Sequence, residues 1–244
     1  MTGWLKIVGL GPGADAMTTL QARDTLAAAT DVYGYAPYVN RIEQRAGLVV
    51  HPSDNREELM RARAALEAAV SGRRAVIVSS GDPGVFAMAA AVFEAMEGNE
   101  HWQQLDIAVL PGVTAMLAAA AAAGAPLGHD FCAINLSDNL KPWSSIERRL
   151  ALAVEADFAI ALYNPRSKAR PDTFASALHT IARAGGGDRL VVQVRNASLP
   201  DQVVKVAPVT EIDPVSVDMR TLVIIGSSAT RAVGHWVYTP RRAP

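Results

Sequence analysis

The stretch Lys6–Ala14, with the sequence KIVGLGPGA, decides the fold of this chain. A short apolar run ends in a glycine turn, as a buried strand does where it passes into a helix. Two further stretches repeat the arrangement: Ser79–Phe86 follows the predicted strand Ala75–Ser79, and Pro111–Ala115 follows the predicted strand Ile107–Leu110. The sequence therefore predicts three loops of bare backbone at the carboxyl ends of parallel strands, where open α/β sheets bind ligands.

Each glycine loop also has a simpler interpretation when it is taken alone. The first formally matches the G-x-G-x-x-A pattern of dinucleotide-binding folds, but it is also compatible with a turn that binds nothing. A nicotinamide site needs an acidic residue after the second strand, whereas Asp31 lies before the apolar run Val32–Tyr35. Asp82 in the second loop could simply cap the following helix. No loop carries the Lys-Ser/Thr pair of a P-loop, so a ligand with a sugar and a base but no phosphate is favoured.

The alternation of apolar runs and helical patterns predicts an α/β protein with two domains. Residues 1–113 are expected to form an α/β domain with a mainly parallel sheet, beginning with a strand at Leu5–Leu10. An amphipathic helix is predicted over Asn55–Ser71, with Asn55 as its N-cap. Residues 114–244 are expected to form an α+β domain with a mixed sheet, and Thr239–Pro244 to be loose. In this second half the pattern predicts strands at Phe131–Leu136, Phe158–Tyr163, Leu190–Val194, Val203–Val206 and Leu222–Ile225, and helices at Ser144–Glu155 and Pro171–Ala184.

Composition excludes several classes of protein. With 23 Lys and Arg against 24 Asp and Glu, the chain has no basic excess to attract nucleic acid. The apolar stretch Ala115–Ala123 is far shorter than the ~20 residues that span a bilayer, so we expect a soluble helix there and no membrane association. Met1–Gly13 resembles a first strand more than a signal peptide. Because Cys132 is the single cysteine, no disulfide framework demands an oxidising compartment, and a cytoplasmic location is expected.

Taken together, the three glycine loops resemble those of the tetrapyrrole methylases. This family uses S-adenosylmethionine (SAM) and has a two-domain α/β fold unrelated to the Rossmann-like methyltransferases. The resemblance extends from about Leu5 to Arg231 and narrows to a ring-contracting member of the cobalamin route. It implies methylation of precorrin-3B at C-17 with ring contraction to precorrin-4, by a homodimer. The segments that narrow it are Tyr33–Tyr38, Leu136–Trp143, Ala161–Ser167 and Val194–Ala197.

The resemblance also implies which residues hold SAM, and hence the product S-adenosylhomocysteine. The site is expected in a trough between the two domains, where the polycarboxylate tetrapyrrole would also bind. Position 197 is often Gly in related enzymes, so the Ala there adds one methyl group. The implied SAM-binding residues are Pro12, Gly81, Asp82, Val85, Thr114, Ala115, Tyr163 and Ala197, with Thr221 and Leu222 adding backbone contacts.

Methyl transfer from a sulfonium to an electron-rich carbon chiefly requires that the two reactants be positioned. No metal is expected, since the chain has one Cys and its histidines show no ligand spacing. Ring contraction, as the resemblance implies it, requires a hydroxyl on C-20 to lose its proton, which a general base or water could accept. Asp138 and His129 are the candidate bases, both expected beside strand ends that face the trough. The alternatives are a turn-forming Asp138 and a surface His129.

A substrate with many carboxylates predicts cationic side chains in its cleft. Tyr35, Tyr38 and Trp143 could stack on the macrocycle or belong to the core, and Cys132 is interpreted as a small buried hydrophobe. Two rival functions remain: another methylase of the same fold acting on ribosomal RNA or a modified histidine, and a non-catalytic tetrapyrrole carrier. The candidate cations are Arg41, Arg56, Lys141, Arg166, Lys168 and Arg195.

Overall fold

The computed structural model describes residues 3–242 of the chain. The chain divides into two compact units, Met1–Thr114 and Ala115–Pro244. The boundary lies one residue after the position expected from the sequence, at the point where the third glycine loop passes into a helix. Each unit has a sheet and an apolar core of its own.

The sheet of the first unit has five strands in the order β3-β2-β4-β1-β5, and every pair in it is parallel. Residues of one strand alternate between its faces, so that Ile7 and Ile77 join one apolar cluster while Val8 and Val78 join a second on the other face. The parallel sheet predicted from the sequence is confirmed. Its strands are β1 (Trp4–Gly9), β2 (Asp31–Tyr35), β3 (Val49–Ser53), β4 (Arg74–Ser79) and β5 (Asp106–Leu110).

Five helices connect these strands. The predicted amphipathic helix is present as α3, but Asn55 is not its N-cap: the helix begins at Glu58 with Glu57 in the cap position. The reason is that Arg56 has φ 71°, a left-handed conformation from which an α-helix does not start. The helices are α1 (Leu20–Ala28), α2 (Ala36–Val39), α3 (Glu58–Val70), α4 (Met88–Met96) and α5 (Glu100–Gln103).

The main sheet of the second unit has the order β10-β9-β11-β8-β7, in which β7 and β8 are parallel and the other pairs antiparallel. The predicted mixed sheet is therefore confirmed. A small sheet of order β12-β13-β6 completes the set. The strands are β6 (Gly124–Ala125), β7 (Phe131–Asn135), β8 (Ala159–Tyr163), β9 (Leu190–Arg195), β10 (Val203–Pro208), β11 (Thr221–Ile225), β12 (Arg231–Val233) and β13 (Trp236–Tyr238).

Three α-helices accompany the second sheet: α6 (Ala115–Ala123), α7 (Trp143–Glu155) and α8 (Thr173–Ile181). Phe174 of α8 and Leu150 of α7 are fully buried in the core. The helix predicted from Pro171 starts two residues later and continues into a wider turn over Ala182–Gly186. Within residues 3–242, no helix has the length and apolar character needed to cross a membrane.

The expectation that Thr239–Pro244 is loose is wrong for Thr239. Thr239 is only 3% exposed, and its hydroxyl donates a hydrogen bond to the carbonyl oxygen of Pro126 at 2.6 Å. Thr239 is held in place because it follows β13, which pairs with β6. The sequence did not predict this pairing, since β6 has only two residues and such a short strand has no recognisable pattern. Ala243 and Pro244 lie outside the described residues.

Candidate functional site

The three glycine loops, defined as residues 10–14, 80–87 and 111–114, meet at one edge of the first sheet. They follow β1, β4 and β5, which are adjacent parallel strands, so their carboxyl ends lie side by side. The first two loops are joined by their backbones. Gly11 donates its N–H to the carbonyl of Gly81 at 3.2 Å, and Gly81 donates to the carbonyl of Gly11 at 2.8 Å. The predicted convergence is therefore present in the structure.

Glycine is required in these loops because the three backbones are in direct contact. An ideal Cβ on Gly9 would lie 2.6 Å from the carbonyl oxygen of Gly81, and one on Gly112 would lie 2.2 Å from the same oxygen. Gly11 and Gly81 also have φ values of 71° and 67°, which disfavour any side chain. The glycines thus fix how closely the loops approach one another, which explains their presence before any ligand is considered.

Asp82 links the second loop to the third. One carboxylate oxygen accepts the N–H of Gly84 at 2.8 Å, and the other accepts the N–H of Gly112 at 3.0 Å. The alternative that Asp82 caps the next helix is wrong, because α4 begins at Met88 and no side chain caps it. Asp82 therefore shapes the loops, and two backbone donors stabilise its charge.

The remaining expected SAM residues of the first unit lie on the same loops. Pro12 and Val85 are half-buried, and Thr114, the last residue of the third loop, is 5% exposed. Arg41, expected to be a substrate-binding cation, instead donates from its Nη2 to the carbonyl oxygens of Leu10 at 3.2 Å and Gly13 at 3.0 Å. Sequence reasoning did not foresee this contact, since 28 residues or more separate Arg41 from the loop.

Asp31 lies at the opposite edge of the first sheet, at the amino end of β2. Its carboxylate accepts hydrogen bonds from Arg73 at 2.6 Å and Thr30 at 2.8 Å, and lies 3.0 Å from the ring nitrogen of His51. Burial acts to raise the pKa of Asp31, but these hydrogen bonds and the charge of Arg73 together hold it below its ordinary value. The side chain is therefore far from the glycine loops, and the nicotinamide alternative loses its ribose-binding acid.

In the second unit, the expected SAM residues also gather at one edge of the sheet. The registers pair Asn135 with Tyr163 and Arg195 with Thr221, so this edge carries the carboxyl ends of β7, β8 and β9 and the amino end of β11. The hydroxyl of Tyr163 accepts the N–H of Met116 at 3.1 Å, at the start of α6. The expected residues grouped at this edge are Ala115, Tyr163, Ala197, Thr221 and Leu222.

A polar network holds the loops at this second edge. Asn135 Oδ1 accepts from the amide of Asn164 at 3.0 Å and from the N–H of Ser137 at 2.9 Å. Arg170 adds hydrogen bonds to the carbonyls of Leu136 at 3.4 Å and Asn164 at 3.2 Å. Sequence reasoning missed Arg170, although it named two other cations of the same loop. The network places a guanidinium beside the strand ends that carry Tyr163.

The two candidate bases lie at opposite ends of β7. Asp138 follows the strand and is exposed, in a shallow cleft that also contains Trp143 and Arg170. His129 precedes the strand, with its ring 3.7 Å from the carboxylate of Asp130. Five residues of strand span about 16 Å, so the expectation that both residues flank the same edge is wrong. Only Asp138 lies at the edge that carries Tyr163; a catalytic role for either residue stays a prediction.

The family model for tetrapyrrole (corrin/porphyrin) methylases matches residues 5–213. The chain belongs to the tetrapyrrole methylase family. It is 51% identical, over 99% of its own length and 97% of the relative's, to a precorrin-3B C(17)-methyltransferase of Sinorhizobium sp. It is 39% identical to a probable cobalt-factor III C(17)-methyltransferase of Salmonella typhimurium, covering 97% of this chain and 98% of that one.

A crystal structure of the methyltransferase CobJ has the same fold. It superposes on this chain with a TM-score of 0.95 at 55% sequence identity. The superposition includes 98% of this chain and 100% of the CobJ chain. These likenesses confirm the resemblance seen in the glycine loops and, with it, the prediction that the chain is a methyltransferase.

Three of the six cations expected to bind carboxylates in this tetrapyrrole methylase, Arg41, Arg166 and Arg195, form side-chain hydrogen bonds or an ion pair within the protein. Arg195 forms an ion pair with Asp218 at 3.0 Å, and Arg166 donates to the carbonyl of Pro171 at 3.0 Å. Burial, followed by the charge of Arg149, lowers the pKa of Lys141. Lys168 and Arg56 are exposed. The second-unit edge thus has more basic groups than its ion pair neutralises.

Two of the aromatic candidates, Tyr38 and Trp143, pack against an apolar core. Tyr35 and Tyr38 meet edge to face with ring centroids 5.3 Å apart, whereas Trp143 packs against the core of the second unit. Cys132 packs there too, and burial raises the pKa of its thiol, which disfavours a reactive thiolate. Among residues 3–242, no group of three or more His, Cys, Asp or Glu side chains is placed to hold a metal ion.

Proposed function

We propose that this protein uses SAM to methylate precorrin-3B at C-17 and contracts the ring to precorrin-4, a step of cobalamin biosynthesis. The observation that carries the proposal is the meeting of three glycine loops at one sheet edge in a chain of the tetrapyrrole methylase family. The choice of precorrin-3B is supported by the full-length likeness to the Sinorhizobium relative.

The glycine loops suit SAM because they offer backbone groups and no cationic side chain. No Lys or Arg lies within residues 10–14, 80–87 or 111–114, so no cationic side chain of these loops is available to bind a phosphate. When bound, SAM supplies a methyl group already activated by its sulfonium and leaves as S-adenosylhomocysteine. The protein's part is positioning, which can contribute on the order of 7–11 kcal/mol. The proposed contacts are Pro12, Gly81, Asp82, Val85 and Thr114 from the first unit, and Ala115, Tyr163, Ala197, Thr221 and Leu222 from the second.

For ring contraction we propose Asp138 as the general base that takes the proton from the C-20 hydroxyl. Asp138 is exposed at the sheet edge that carries Tyr163, whereas His129 lies at the other end of β7. Arg170 and Lys141 lie on the loops of the same edge, where cations would bind substrate carboxylates. The wider assignment is a homodimeric, cytoplasmic enzyme that acts on a small molecule and has no nucleic-acid partner.

The test is a reaction with SAM and precorrin-3B, followed by mass spectrometry for the methyl group and absorption spectroscopy for the ring. Cobalt-factor III in a parallel reaction separates the metal-free from the cobalt-containing substrate, because the Salmonella relative is named for the latter. We expect faster turnover of precorrin-3B. Turnover of cobalt-factor III alone would refute the substrate, and failure to bind SAM would refute the function.

Two matched variants test the base. Asp138→Asn should keep SAM affinity and slow contraction by ~10²–10⁴-fold, the usual contribution of a general base. His129→Gln, at the opposite end of β7, should contract the ring at the wild-type rate. Contraction at the wild-type rate in Asp138→Asn would instead favour water or a substrate carboxylate as the proton acceptor.

A further inference from the structure

We infer that Arg41 is a positioning residue of the SAM site, which holds the first glycine loop in its ligand-binding shape. The inference rests on the proposed function, because it assigns the loop to SAM. One guanidinium nitrogen, Nη2, donates to the carbonyl oxygens of Leu10 and Gly13, 3.2 and 3.0 Å away. These two carbonyls flank Gly11 and Pro12, so a single charged group fixes both ends of the bend.

The sheet order explains why the first loop needs this clamp, the pair of hydrogen bonds from Arg41 to Leu10 and Gly13. β4 lies between β1 and β2, so no strand pairing connects the first glycine loop to the segment that follows β2. The second loop, which follows β4 on this same side, is paired with the first through the hydrogen bonds of Gly11 and Gly81. Arg41 supplies the connection that the sheet does not, since it follows α2 and reaches back across 28 residues to Gly13.

Arg41 itself is held in place by the segment after β2. Its backbone N–H donates to the carbonyl of Tyr38 at 3.1 Å, and the ring of Tyr38 packs edge to face on Tyr35. Within residues 3–242, no acidic side chain forms an ion pair with Arg41, so loop carbonyls are the partners that stabilise its charge. Loss of the guanidinium would leave the carbonyl of Gly13 without this donor and free the bend to relax.

Arg45 provides a matched control within the same segment. Its Nη2 also donates to backbone carbonyls, those of Leu26 at 2.9 Å, Ala27 at 2.7 Å and Ala29 at 2.6 Å. These carbonyls end α1 and precede β2, so they lie at the sheet edge opposite the glycine loops. The two arginines thus share side-chain chemistry and kind of partner but differ in the edge they hold.

The experiment compares Arg41→Ala and Arg45→Ala in the full chain, with SAM binding measured by calorimetry and folding by thermal melting. Hydrogen bonds to charged groups have free energies that correspond to about 10- to 100-fold in binding, so Arg41→Ala should weaken SAM by that factor. Arg45→Ala should bind SAM as the wild type does, even where its melting temperature falls. Millimolar guanidinium ion should restore part of the affinity of Arg41→Ala and leave that of Arg45→Ala unchanged.

Three results would overturn the inference: wild-type SAM affinity in Arg41→Ala, an equal loss in both variants, or no rescue by guanidinium. Should Arg41→Ala fail to fold, Arg41→Met keeps most of the side-chain stem and removes both the charge and every hydrogen-bond donor. Wild-type affinity in that variant overturns the inference equally. A wild-type protein that does not bind SAM would refute the proposed function instead, so the two failures are distinguishable.

Discussion

Substitution of Gly112 by Ala tests the contact among the three glycine loops. A Cβ at this position would lie 2.2 Å from the carbonyl oxygen of Gly81 and 3.0 Å from the backbone of Gly9. The first distance is about 1 Å short of an ordinary C···O contact of about 3.3 Å, and both neighbours are backbone, so a loop must move. Overpacking of this kind costs about 1–3 kcal/mol, and we expect the upper end because no flexible side chain can yield.

A loss of about 3 kcal/mol corresponds to a fall of about 6–12 °C in the melting temperature of a chain of this size. A displacement of about 1 Å in a positioning loop can also reduce activity about a hundredfold, and we expect SAM affinity to fall with it. Thermal melting and calorimetry measure the two effects.

Gly187→Ala is the control, because its Cβ would meet Thr210 at an ordinary 3.5 Å and its backbone, with φ −60° and ψ −35°, accepts Ala without strain. Equal behaviour of Gly112→Ala and Gly187→Ala would show that the loops are not packed as described.

Asp82→Asn should weaken SAM binding about tenfold, because one carboxylate oxygen that accepts from Gly84 or Gly112 becomes an amide NH₂ facing another donor; unchanged calorimetry would contradict this. The pKa of Asp31 is held below its ordinary value of 3.8 by Arg73 and its other partners despite burial, so its contribution to stability is complete above about pH 5 and is lost as pH falls through the lowered pKa. The melting temperatures of wild type and Arg73→Met should therefore differ most near pH 7, and the difference should shrink as the pH falls below 3.8; a difference that widens in acid would refute the assignment. Finally, dialysis against EDTA should leave methyl transfer to a metal-free substrate unchanged, whereas activity restored by a divalent ion would reveal a metal site.

The glycine loops were predictable from the sequence because they report a backbone constraint. Gly9 and Gly112 are glycines because a Cβ on either would meet the backbone of a neighbouring loop. The glycines follow three separate strands and are recognisable within a few residues of each. Their prediction therefore does not depend on knowing where each strand ends. The strands of the second unit were predictable for a different reason, since its buried strands are short apolar runs.

Side-chain roles were less predictable, because they depend on strand direction and on contacts between distant residues. His129 and Asp138 are nine positions apart and both flank β7, but a strand separates its two ends by its whole length. Arg41 and Arg170 were similarly hidden, since their partners are backbone carbonyls and any residue type provides those. No sequence pattern marks the acceptor in such a contact.

The first glycine loop shows how far a motif alone can specify a ligand. Its G-x-G-x-x-A pattern matches dinucleotide-binding folds, and the structure shows that the pattern is satisfied by packing against Gly81 without any ligand. What separates a nicotinamide site from this one is the acid at the end of the second strand, and here Asp31 is at the other end of β2, paired with Arg73. The glycine motif alone therefore does not identify the ligand, and residues outside it shape the loops: Asp82 links the second loop to the third, and Arg41 donates to the first. A glycine turn allows another loop or a ligand to contact its backbone closely. Which of the two does so depends on the residues around the turn.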